Sequence, residues 1–88
     1  MKAIWKYELQ IVARQAIDMP PGARVLHVDN QRGSLCLWAF VTPGPETERR
    51  IFHVIGTGHP IEDTEGIKHV GSVVIDPFVW HAFEELPI

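Results

Sequence analysis

Apolar and polar positions alternate along most of the chain, and the alternation is interrupted by proline and glycine. The interruptions are Pro20-Pro21-Gly22, Arg32-Gly33, Pro43-Gly44-Pro45, Gly56-Thr57-Gly58-His59-Pro60, Gly66 and Asp76-Pro77. Between them lie short runs rich in valine, isoleucine and aromatics, spaced by about 8 to 12 residues, as in all-β sandwiches and barrels. The pattern predicts strands over 3–9, 14–19, 24–31, 34–42, 49–55, 67–75 and 78–84. A two-residue connection at Arg32-Gly33 joins the third and fourth as a hairpin, because the glycine supplies the positive φ such turns need. Pro77 cannot donate to a ladder and so marks a strand boundary. One helical turn is expected over 61–65, cut short by Gly66.

The run from Ser34 is apolar on both faces, with Leu35, Leu37, Ala39 and Val41 on one and Cys36, Trp38 and Phe40 on the other. Such a strand is central, or covers a core with one face and a partner with the other. The first run carries Trp5, Tyr7 and Leu9 on one side and Ile4, Lys6 and Glu8 on the other, which gives it an aromatic inner face. The period-2 faces of the central strands place Leu35, Leu37, Val41, Ile51, Ile55, Val73 and Ile75 in the core. The expected fold is all-β and mainly antiparallel, a small sandwich or half-open barrel of six or seven strands. No second domain is expected within residues 1–88.

Composition agrees with one ordered core: 45% of residues are hydrophobic and 22% charged, unlike disordered chains. Domains of this length bury only about 60–65% of the surface their unfolded chain exposes, so a homo-oligomeric interface, as a dimer or larger assembly, is expected to supplement the core. The net charge of −3, from 11 acids and 8 bases without a basic stripe, argues against direct DNA binding. Lys2, Lys6 and Glu8 interrupt the apolar positions near Met1, which leaves no signal-peptide or membrane-spanning run there. The lone Cys36 excludes an intrachain disulfide and fits a reducing, cytoplasmic setting.

Five histidines invite a metal reading. His53, His69 and His81 each fall in a predicted strand, yet no two ligand-type residues show the close pairing of zinc signatures, so no metal or other cofactor is expected. Cys36 lies in a packed run where burial disfavours the thiolate. Ser34 and Ser72 lack a glycine-flanked nucleophile elbow, and Glu62, Asp63 and Glu65 read as a charged loop. With no catalytic constellation, the chain is expected not to be an enzyme.

Two features suggest binding. Gly56, Thr57, Gly58 and His59 form a loop whose glycines would let backbone approach a ligand or partner, although conformational need in a turn alone explains glycine in loops. Three tryptophans among eight aromatic rings exceed what a small core needs, and tryptophan is enriched at interfaces, which singles out Trp38 and Trp80. Arg49 and Arg50 complete the candidate set, since arginine makes bidentate contacts with phosphate.

Ile4-Trp5-Lys6-Tyr7-Glu8-Leu9, Met19-Pro20, Cys36-Leu37-Trp38-Ala39, Gly56-Thr57-Gly58-His59-Pro60-Ile61 and Val79-Trp80-His81-Ala82-Phe83-Glu84 occur here in an order that resembles a family of small uncharacterised bacteriophage and prophage proteins. The likeness spans essentially the whole chain, departs from it in length over 62–71, and carries over no functional residue. It implies a phage accessory protein acting in the host cytoplasm. Two expectations follow: a module that binds and blocks a host protein, such as an antiviral-defence protein, or an oligomeric sponge that holds a nucleotide-like signal molecule between the loop, Arg49 or Arg50 and a tryptophan at a subunit boundary.

Overall fold

The computed structural model describes residues 1–62 and 64–87. Asp63, one of the three acids expected in a charged loop, lies outside the described residues. Seven strands follow in order: β1 (Ala3–Leu9), β2 (Gln15–Met19), β3 (Arg24–Gln31), β4 (Ser34–Val41), β5 (Glu48–Gly56), β6 (Ile67–Ile75) and β7 (Phe78–Glu85). They form two open sheets, β1-β4-β3 and β2-β5-β7-β6, with every pairing antiparallel. The expected all-β fold is therefore present, as a sandwich and not a half-open barrel. Its extents of 40 × 32 × 16 Å suit two layers, since stacked sheets lie about 10 Å apart. Of the helical turn expected over 61–65, residues 61, 62, 64 and 65 are not helical and Asp63 lies outside the described residues. No helix occurs among the described residues. None is long and apolar enough to cross a membrane.

Local chemistry sets the two tight hairpins. Arg32 and Gly33 both have positive φ, 53° and 85°, the conformation of a type I′ turn whose twist matches antiparallel strands. The Asn30 side chain accepts the Gly33 N–H at 2.7 Å and fixes the turn. At the β6–β7 connection the Asp76-Pro77 bond is cis, and Ile75 pairs with Phe78.

β4 is the middle strand of its sheet, and Leu35, Leu37, Ala39 and Val41 are all buried on its inner side. They meet Phe52, Val54, Val73 and Ala82 from the other sheet and Leu9, Met19 and Val28. On β5 the expected face is reversed: Phe52 and Val54 are buried, while Ile51 and Ile55 lie on the outer side and are half-buried. Ile51, Phe52, Val54 and Ile55 are apolar on both faces, so alternation alone leaves the choice open; pairing of Phe52 with Glu84 and of Val54 with Ala82 decides it. Val73 is buried as expected, and Ile75 packs on the core while remaining partly exposed.

The sheets approach most closely where β3 meets β6. Each strand carries a bulge, at Leu26 and at Val70, which adds local twist. Asn30 Nδ2 donates across the junction to the Val74 carbonyl at 3.3 Å. Inside the sandwich, Arg50 donates to both carboxylate oxygens of Glu84 and to the Ala23 carbonyl (2.8 Å). The two side chains are 18% and 14% exposed, and the Glu84 hydrogen bond raises the arginine pKa.

Candidate functional site

Trp80 and Trp38 each lie at an exposed apolar surface, and a polar network occupies a third region. The first lies at the end of the four-stranded sheet. β5 ends at the buried Gly56, whose carbonyl accepts the His59 N–H at 3.0 Å and closes the loop into a turn. Thr57 N–H donates to the Val79 carbonyl at 3.1 Å, which ties the loop to β7. Gly58 adopts a φ of 88°, accessible to glycine without strain.

The turn lays His59 against Trp80. Their ring centroids are 6.1 Å apart and edge-on, and Phe78 stands 5.7 Å from the same indole. These three rings, with Gly56, Thr57 and Pro77, line a hollow of about 280 Å³. A Cβ on Gly56 would stand 2.8 Å from the His59 ring and 3.0 Å from Trp80, so the missing side chain is what admits the imidazole. At the hollow, Phe78 is 59% exposed. The hollow offers π-faces and apolar surface with few polar atoms, chemistry suited to an apolar or aromatic anchor from a partner.

The second surface is the outer side of β1-β4-β3. Trp38 is half-buried, with Phe40 38% and Ile4 56% exposed beside it. His27 stacks near Trp38, with centroids 6.2 Å apart. Cys36 is buried on this side.

The outer side of the four-stranded sheet carries polar chains. Thr57 Oγ1 bonds His81 Nε2 at 2.7 Å, His81 Nδ1 bonds Ser72 Oγ at 2.7 Å, and Ser72 Oγ bonds His69 Nε2 at 2.9 Å. A neutral imidazole has one donor and one acceptor, so each bond of this chain has a donor and an acceptor when its protons all point the same way along it. Nearby, Glu85 bonds Arg14 (2.8 Å) and His53 (2.7 Å). The Arg14 guanidinium first, then His53, hold that carboxyl below its usual pKa. Among the described residues no three His, Cys, Asp or Glu side chains converge as metal ligands would.

The structure thus gathers Gly56, Thr57, Gly58, His59 and Trp80 at one place. Trp38 belongs to the other sheet. Arg49 and Arg50 sit near the opposite end of β5, six to seven residues or roughly 20 Å of strand from Gly56. Arg50 is committed to Glu84, and Arg49 pairs in register with Asp18. A phosphate cradle of loop and arginine is therefore not formed within one chain. Sequence reasoning passed over Phe78 and Pro77 at the hollow, and Ile4 and Phe40 on the outer face. The alternation Phe78-x-Trp80 and Trp38-x-Phe40 carried that signal, since residues two apart on a strand share a face.

No curated protein and no solved structure matches the chain. A family described as a domain of unknown function (DUF7352) matches residues 1–87. The chain belongs to that family.

Proposed function

We propose that this member of the DUF7352 family is a non-catalytic binding module, a bacteriophage accessory protein that docks on a host protein and blocks it. The observation that carries the reading is the aromatic hollow of His59, Phe78 and Trp80, in which Phe78 is largely exposed. Isolated exposed apolar residues are common on protein surfaces, but rings converging on a concavity resemble the anchor pockets that dominate binding energy at interfaces. The sequence resemblance to phage proteins supports the biological setting, and the host target is proposed to be a defence protein. A nucleotide sponge draws less support, because Arg50 is held by Glu84 and the loop and arginines lie at opposite ends of β5, so that two copies would have to bring them together.

The test is affinity capture from host lysate with the wild-type protein and with Phe78→Asp. Phe78 is mostly exposed, so the variant should melt close to wild type, as surface substitutions change stability by about 0.5 kcal/mol or less. A host protein retained by the first and lost by the second is the expected result. Equal capture by both, or a large thermal shift with cyclic or linear nucleotides in the absence of any captured protein, overturns it.

A further inference from the structure

The outer face of β1-β4-β3 is ordered in rows by its register. Ile4, Phe40 and Arg24 form one row, Lys6, Trp38 and His27 the next, and Glu8, Cys36 and Asp29 the third. Lys2 extends the first end, held to Thr42 at 3.2 Å. Charge is therefore separated along the strands, with Lys2 and Arg24 at one end, Glu8 and Asp29 at the other, and Trp38 with its neighbour Phe40 between. Lys6 reaches toward the acidic end, bonded to Gln31 at 2.6 Å, and Arg32 lies beyond that end in the turn. Arg24 and Asp29 are exposed, opposite poles of one strand, Asp29 also accepting the Asn30 N–H at 2.7 Å and lying 3.4 Å from His27 Nε2.

We propose that this face binds a second copy of the same chain, about a twofold axis crossing the strands at Trp38. That operation reverses the order of the rows while keeping each strand over its own copy. Arg24 then meets Asp29 of the second copy, twice by symmetry, Trp38 packs on Trp38, and Phe40 covers Cys36. A twofold along the strands would instead set Glu8 against Asp29, which like-charge repulsion disfavours. Isologous contacts need such self-complementarity. On the edge strand β1 the same operation sets Ile4 over Glu8 and brings the two Lys6 side chains to the axis. Each Lys6 is drawn aside there by its bond to Gln31 of its own copy and, like Glu8, stays solvated at the rim. Three strands about 4.8 Å apart and four rows of residues give a face of roughly 400 Å², small for a protein interface, so a reversible dimer of about micromolar affinity fits. The interface is separate from the aromatic hollow and does not rest on its role.

Sedimentation equilibrium from about 1 to 500 µM at low salt, with each step of affinity read as a shift in dimer fraction, tests the proposal. The wild type should dimerise reversibly. Arg24→Asp and Asp29→Arg should each weaken the dimer by about tenfold or more, and the double exchange should restore it to within about threefold. All four proteins should melt alike, since both positions are exposed; thermal melts confirm that loss of dimer is not loss of fold. A wild type that stays monomeric throughout, single variants that dimerise like the wild type, or a double exchange that restores nothing each overturns the proposal.

Discussion

Val28 on β3 packs its Cγ2 methyl directly over the Cα of Gly71 on β6, in the space a side chain at position 71 would occupy. The glycine lets the edges of the two sheets close on each other. Val28 is buried and held by the core, so it has little freedom to give way. Gly71→Ala is expected to destabilise by about 1–3 kcal/mol, as overpacking does. Val28→Ala should recover part of that loss in the double variant, with a coupling of about 1 kcal/mol measurable by denaturant titration. Independent, additive costs would show that the contact does not set the approach of the sheets.

Tyr7 carries the buried side-chain oxygen that lacks a hydrogen-bond partner among the described residues. Burial raises its pKa, opposed by the charge of Arg50. In the unfolded chain the phenol ionises near pH 10, and in the folded protein only at higher pH. Its ionisation therefore leaves stability unchanged below about pH 10 and lowers it as pH rises from there through the raised value. Tyr7→Phe should stabilise by about 1 kcal/mol at neutral pH, by removing an unsatisfied hydroxyl, and should flatten the alkaline fall. Melting curves from pH 7 to about pH 11 check both parts.

Gly56 and Gly58 lie two residues apart and should fail differently. A methyl at Gly56 presses on His59 and Trp80, so Gly56→Ala should displace the imidazole and alter the fluorescence of Trp80, a change absent in a Trp80→Phe background. Space is open at Gly58, but its φ of 88° disfavours a side chain. Gly58→Ala is therefore expected to cost about 1 kcal/mol in stability while leaving the hollow and its fluorescence unchanged. Identical fluorescence changes in both variants would contradict the assignment.

The Arg50–Glu84 pair bridges β5 and β7 across the inner side of their sheet. Removing one partner leaves the other charge with little solvent. Glu84→Gln should cost about 2–3 kcal/mol, less than a fully buried pair because both groups retain some exposure. Arg14→Gln, at a pair in which the arginine is 61% exposed, should change stability far less than Glu84→Gln does, because solvent screens exposed pairs. Urea unfolding of the two variants provides the comparison.

Local physics determined much of this protein from the sequence alone. Alternation and turn residues located seven strands, because period-2 patterning and the φ demands of Gly33 and Pro77 act within a few residues. They also separated the two faces of β4, where Leu35, Leu37, Ala39 and Val41 share one side. The grouping of Gly56, Thr57, Gly58 and His59 was legible for the same reason, since those residues are contiguous. Tertiary structure decided what depends on partners distant in the chain. Which face of β5 turns inward followed from its pairing with β7, since Ile51, Phe52, Val54 and Ile55 are apolar on both sides and periodicity is silent there. Phe78 and Trp80 joined the loop, and Arg49 and Arg50 were carried away from it, because strand length separates the ends of β5 while the β7 register brings Trp80 beside Gly56. Burial and charge separation on the outer face of β4 likewise arose only once β1 and β3 were laid beside it, in a register that the linear pattern does not encode.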